Sequence, residues 1–151
     1  MPIGKPLANY AAYKRVGDTL YMSGVIAVDP AAQAVIEGYG QLPPEAEEAL
    51  RSLGYVTGQM SVDIFEAPIV AQSWFVLNRI REMVEGCGGQ MKDVVKLVQY
   101  FRNLEHYPAY NRVRGLFFPD PVVSTVVEVS GMLPSRAVLV EVEATAWLPG
   151  R

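Results

Sequence analysis

The chain has one cysteine, one histidine and no strong excess of either charge. Each scarcity excludes something. The lone Cys87 cannot build an intrachain disulfide framework or a cysteine metal cluster. It reads as a packing residue at a helix end, with a reactive thiol as the alternative. The lone His106 excludes a multi-histidine metal site within one chain. A formal net charge of −3 argues against a broad nucleic-acid footprint, although a local basic patch stays open. No apolar run is long enough to span a bilayer, and the N-terminus lacks the apolar core of a signal peptide. The expectation is a soluble cytoplasmic protein with neither a nucleic-acid nor a membrane partner. What the chain does have is apolar substance. Half of its 151 residues are hydrophobic, enough for one globular domain over residues 1–151 with a real core.

The chain's end is its most regular part. Ser124–Ser130 and Val138–Trp147 read as two adjacent strands. In the second, Val138, Val140, Val142, Ala144 and Ala146 share one face, which is small and apolar and suited to packing on helices. Leu139, Glu141, Glu143, Thr145 and Trp147 share the other. A purely solvated face rarely carries Leu and Trp beside two carboxylates, so this face reads as a half-buried interface or pocket.

Earlier segments are read by punctuation and period. Asn9–Val16 and Thr19–Val28 form a hairpin signal around Gly17-Asp18. In the second strand Leu20, Met22, Gly24 and Ile26 alternate with Tyr21, Ser23 and Val25. Residues 31–67 are less regular, with a short helix at Glu45–Leu53 opened by Pro44 and a strand fragment at Met60–Phe65. This stretch reads as an insertion, either a functional lid or a surface elaboration without chemistry. Pro68–Gly86 is a helix whose stripe includes Ile69, Val76, Ile80, Met83 and Val84. Asp93–Phe101 is a central strand. A second helix runs from Asn103 or Glu105 to Phe117. The class is therefore α/β (α+β), a mixed sheet of four to six strands with two helices packed on one face. The other sheet face would be exposed in a monomer, and a symmetric oligomer burying it is the economical solution.

Several groups of residues stand in a familiar order. Tyr10 is followed by Gly17-Asp18-Thr19-Leu20-Tyr21-Met22-Ser23-Gly24 and Asp29-Pro30. The helix carries Gln72, Val76-Leu77-Asn78-Arg79-Ile80, Val84-Glu85 and Gly88. The middle section has Asp93-Val94-Val95-Lys96, Asn103-Leu104, Tyr110-Asn111 and Phe117-Phe118. Val127-Glu128-Val129 and Val140-Glu141-Val142-Glu143-Ala144 close the chain. In order and spacing these resemble the YjgF/RidA family over most of the chain outside 31–67. The resemblance implies a chorismate-mutase-like fold and a homotrimer, its three sheets forming a central barrel with ligand clefts between subunits. Family deaminases hydrolyse reactive enamines or imines to a keto product and ammonia, without a metal or organic cofactor.

Carried over residue by residue, the resemblance places Glu141 as the carboxylate that handles water, the alternative being a structural glutamate at the trimer interface. Glu143 reads as structural, and Glu128 as a carboxylate neighbour able to raise the pKa of Glu141. Tyr10 reads as a hydroxyl donor to the ligand or as interface packing. Ser23 and Gly24 let backbone approach the ligand, or simply serve the hairpin. Asn111 bonds a ligand or caps the adjacent chain.

One departure is sharp. Family deaminases carry an arginine three residues ahead of Val-Glu-Val, which pairs with the substrate carboxylate; here that position is Ser124, and Val126 stands where cysteine is common. Losing a bidentate charge-assisted contact, on the order of a few kcal/mol, would cost roughly two decades or more on small imino acids. Arg102, Arg112, Arg114 or Arg136 could compensate, but each reads more simply as solvated or structural. Together with the insertion, this points to a ligand larger or less anionic than 2-aminoacrylate. Two readings follow: a RidA-like hydrolase with Tyr10, Ser23, Gly24, Asn111, Ser124 and Val126 around the substrate, or a non-catalytic trimeric small-molecule-binding or regulatory protein. Ribonuclease action or translation inhibition draws little support from the acidic balance and the lone histidine.

Overall fold

Residue 6 and residues 8–151 are described by a computed structural model, with the backbone alone at 60–62. A hairpin opens the sheet: β1 (Tyr13–Val16) and β2 (Thr19–Met22) pair antiparallel around Gly17. Gly17 lies at φ +59°, the left-handed region that a missing Cβ makes accessible. The strand expected to run on to Val28 is broken. It resumes as β3 (Val25–Ile26) and again as β4 (Val28–Asp29), which forms a separate ribbon with β5 (Ala34–Val35).

The break is a β-bulge. β8 (Val140–Trp147) runs antiparallel to both β2 and β3, with Tyr21 opposite Thr145 but Val25 opposite Val142. The β2–β3 side therefore uses one residue more than its partner between these pairs. Ser23 anchors the detour, donating from its N–H to the Ala12 carbonyl (2.9 Å) and from its hydroxyl to the Ala11 carbonyl (2.6 Å). An unbroken strand would put Ile26 on the face of Leu20 and Met22. The extra residue inverts that alternation: Leu20 and Met22 enter the core, while Ile26 emerges opposite Glu141.

The first helix has its expected length, and the two that follow do not. α1 (Pro44–Ser52) begins with proline in its first turn and with Glu45 and Glu47 at its positive end. Met60–Phe65, expected as a strand fragment, is instead the start of a 27-residue helix, α2 (Met60–Gly86). Pro68 lies inside it rather than at its first turn. Its missing N–H leaves the Ile64 carbonyl without a helical donor, on a turn where Ile64 and Phe65 are exposed and water reaches the backbone. The Asp63 carboxylate accepts from the N–H groups of Thr57 (3.2 Å) and Gly58 (2.7 Å), tying the preceding loop to this first stretch of helix.

β6 (Val94–Phe101) leads through a 3₁₀ turn at Leu104–His106 into α3 (Tyr107–Arg114), which ends earlier than Phe117. β7 (Val123–Glu128) then pairs parallel to β6, and β8 returns antiparallel to β6 on its other side. The six-stranded order is β1-β2-β8-β6-β7, with β3 beside β8. The last two strands are thus not neighbours, because β6 lies between them.

α2 and α3 cover one sheet face. Val140, Val142, Ala144 and Ala146 of β8 are buried in a common core with Trp74, Leu77, Ile80 and Val84 of α2. Fully buried Gln72 clamps the approach to β8, donating to the Ala137 carbonyl (2.7 Å) and accepting from the Leu139 N–H (2.9 Å). The opposite face keeps Val16 (59% exposed), Tyr21 (53%) and Trp147 (54%) open to solvent.

Candidate functional site

Glu141 is the chemical centre of one cleft. The bulge at Met22–Gly24 turns Gly24 toward it, and a Cβ added at Gly24 would lie 2.4 Å from its Oε2. Only glycine gives this carboxylate its place. A cavity of about 510 Å³ opens there, lined by Ala8, Tyr10, Ser23, Gly24, Ile26, Leu133, Pro134 and Glu141. Burial raises the pKa of Glu141, and the Glu143 charge raises it further. Glu143 itself accepts a 2.6 Å hydrogen bond from the Tyr100 hydroxyl, and that bond is the main cause of a raised tyrosine pKa. A carboxylate with its pKa lifted toward neutrality is suited to taking and returning a proton.

Glu128 is not the neighbour that raises Glu141. It lies on β7, beyond β6 and on the helix-covered face opposite Phe101, where it accepts from the Leu104 N–H at 3.0 Å. The sequence reading treated β7 and β8 as adjacent, and the intervening strand removes that contact.

A second cluster lies where α3 meets the edge strand. Ser124 and Val126 pair with Leu97 and Gln99, so they share the helix-side face. Gln99 is fully buried, and all its amide atoms are engaged. Its Oε1 accepts from the Tyr110 hydroxyl (2.6 Å) and from Arg114 (2.8 Å); its Nε2 donates to Ser124 Oγ (2.7 Å) and to the Thr125 carbonyl (3.0 Å). Arg114 also donates to Ser124 Oγ (3.1 Å) and to Asn111 Oδ1 (2.7 Å). The position that lacks a strand arginine therefore has a guanidinium beside it, delivered by the helix.

The family model described as Endoribonuclease L-PSP matches residues 48–148, two thirds of the chain. The chain belongs to the YjgF/RidA family. A solved Klebsiella pneumoniae protein carrying an endoribonuclease label is 55% identical, with a TM-score of 0.86 over 93% of this chain and all of that one. A RutC family protein of Saccharolobus solfataricus is 28% identical over 94% of this chain and 89% of its own length. A 2-iminobutanoate/2-iminopropanoate deaminase of Dermatophagoides farinae is 27% identical over 93% of this chain and 86% of its own. The mixed sheet with helices on one face is the family's fold, as the sequence resemblance implied.

Within this family fold the candidate residues divide into two sets. Tyr10, Ser23, Gly24 and Glu141 line one cavity. Asn111 and Ser124 meet at Arg114, with Val126 one strand position further along the same face. The Glu141 side chain shares the face of Tyr100 and Val98, whereas Ser124 and Val126 share that of Leu97 and Gln99. One chain thus holds the two sets on opposite sides of its sheet. Among the described residues, no group of His, Cys, Asp and Glu could hold a metal ion. No described helix is long and apolar enough to cross a membrane.

Reasoning from sequence missed Gln99, Tyr107, Leu133 and Pro134, and it weighed Arg114 as one of four arginines that could compensate but favoured a solvated or structural role. For Arg114 a signal existed: it follows Asn111 by three residues, one helical turn along the same face. For Leu133 and Pro134 there was none, since their place beside Glu141 is set by the loop before β8.

Proposed function

We propose that the chain is a RidA-like hydrolase of a small reactive enamine or imine, acting as a cytoplasmic homotrimer at clefts shared between subunits. The observation that carries this reading is the Glu141 carboxylate, half-buried in a cavity, raised in pKa and seated against a glycine. The Dermatophagoides farinae relative lends the reaction class. The division of the candidate residues between two sheet faces favours a site completed by a second copy. Exposed Val16, Tyr21 and Trp147 give that second copy an apolar surface to cover.

In the proposed reaction Glu141 takes a proton from water as the oxygen bonds to the imine carbon. The C=N π pair moves to nitrogen, which takes a proton from solvent, and a carbinolamine forms. The C–N bond then breaks. Nitrogen leaves as ammonia with the proton returned by Glu141, and the one remaining hydroxyl proton passes to solvent as the carbonyl forms. An enamine enters by protonation at carbon and loss of one N–H proton to solvent, giving the same imine. Imine and water become ketone and ammonia, with nothing oxidised or reduced. Ile26, Leu133 and Pro134 in the cavity wall favour a substrate with more apolar bulk than 2-aminoacrylate.

The endoribonuclease wording belongs to the family model and to the Klebsiella relative. A net charge of −3 and a single histidine support small-molecule hydrolysis over RNA cleavage in this chain. The test is ammonia release from imines generated in place from amino acids of graded side-chain size. The wild type should exceed the buffer rate on at least one, and Glu141→Gln should lower that rate by roughly 10²–10⁴-fold without changing oligomer mass. No acceleration on any imine, with thermal stabilisation by the matching keto acids, would make the protein a binder and refute the hydrolase.

A further inference from the structure

Arginine stays charged at any ordinary pH, so a partly buried guanidinium calls for an anion. Among the described residues ion pairs engage Arg51, Arg79, Arg112 and Arg151, and Arg114 takes part in none. Its acceptors are all neutral: Gln99 Oε1 at 2.8 Å, Ser124 Oγ at 3.1 Å, Asn111 Oδ1 at 2.7 Å and the Tyr107 hydroxyl at 3.3 Å. The rings of Tyr107 and Tyr110 flank it at 5.9 and 5.8 Å from the guanidinium carbon to their centroids. These contacts hold the cation in one place and leave its charge unneutralised.

Ser124 supplies a matching donor. Its oxygen accepts from Arg114 and from Gln99 Nε2, and both of those groups are donors only. The hydroxyl proton therefore points to neither, and Ser124 is exposed. The Gln99 amide cannot turn to take that proton, because its oxygen is committed to Tyr110 and Arg114. A fixed cation and a free O–H donor thus stand side by side at the sheet edge.

We propose that Arg114 and Ser124 form a binding site for a small organic monocarboxylate, the guanidinium taking one oxygen and the serine hydroxyl the other. Asn111 is exposed and offers Arg114 only a neutral amide oxygen, which a carboxylate oxygen displaces as the stronger acceptor. One guanidinium and one neutral hydroxyl match a single negative charge better than a phosphate dianion. The inference rests on the imine-hydrolase reading for the remainder of the ligand: the bound carboxylate would belong to the imino acid and, after hydrolysis, to the keto acid. The charge that the strand position does not carry is then restored from α3. Substrate choice turns on that charge.

The experiment is calorimetric titration of the full chain with pyruvate, 2-oxobutanoate and 2-oxoisovalerate, each beside its neutral amide. At least one acid should bind about ten-fold or more tightly than its amide. Arg114→Gln should erase that preference, Arg114→Lys should retain part of it, and Ser124→Ala should weaken the acid several-fold. If Arg114→Gln does not fold, the Lys and Ala variants carry the comparison. Binding of no acid in the panel overturns the proposal, as does a preference that survives Arg114→Gln. Ammonia release measured in parallel separates the two claims. Selective acid binding without turnover upholds this site and sinks the hydrolase. Turnover that ignores the carboxylate upholds the hydrolase and sinks this site.

Discussion

Gly24→Ala is a one-carbon perturbation whose effect follows from the geometry around Glu141. The added Cβ would sit 2.4 Å from Glu141 Oε2 and 2.9 Å from its Cδ. To regain an ordinary contact of 3.4 Å, the carboxylate must retreat by about 1 Å. The fold has no reason to fail. Gly24 lies outside the left-handed region, and the crowded atoms end a side chain that can move. Replacing glycine also reduces unfolded-chain entropy, which stabilises by about 0.4–1 kcal/mol and offsets the crowding. A 1 Å misplacement of a reacting group costs on the order of a hundred-fold, or about 2.7 kcal/mol in the barrier. The expected result is a kcat/KM for ammonia release near one hundredth of wild type, with thermal stability almost unchanged. Full activity in Gly24→Ala would refute the assignment of Glu141 as the group that handles water.

Three further outcomes follow. Because burial first and Glu143 second raise the Glu141 pKa, the acid limb of kcat/KM should lie above the usual glutamate range, and Glu143→Gln should move it down in pH; an unmoved limb would discount Glu143. Stability carries the matching sign. The folded protein holds the Glu141 proton more tightly than the unfolded chain, so this contribution is full below its unfolded pKa and is lost as pH rises through the folded one; Glu141→Gln should then raise Tm at about pH 7 but not at about pH 4. Gln99→Leu strands the buried Tyr110 hydroxyl and frees Arg114, which should cost about 1–3 kcal/mol in chemical denaturation; a neutral result would show the amide network to be dispensable.

The sequence made legible what rests on local periodicity. The alternation of β8 was sound to the residue: Val140, Val142, Ala144 and Ala146 are buried, and Glu141 and Glu143 share the other face. Features set by one extra residue or by tertiary order were not legible. The bulge between Met22 and Val25 reverses the face of Ile26, and an unaligned strand gives no sign of where its partner falls short. The start of α2 was hidden behind Pro68, a residue that usually begins a helix and here is tolerated within one. The insertion of β6 between the final two strands depends on which edges pair, and that removed Glu128 from the neighbourhood of Glu141. Ser124 pointed to a missing charge because the sequence shows which residue occupies a position and not which side chain reaches it. Arg114, ten residues earlier, reaches it.

In the proposed trimer, one chain's Glu141 works with another chain's Arg114 and Ser124. Co-assembly of two separately impaired variants, Glu141→Gln and Arg114→Gln, tests it directly. Random mixing in a cyclic oligomer should regenerate intact clefts at about one interface in four, and with them roughly a quarter of wild-type ammonia release. Mixed oligomers of verified composition that stay as inactive as either variant alone would contradict it.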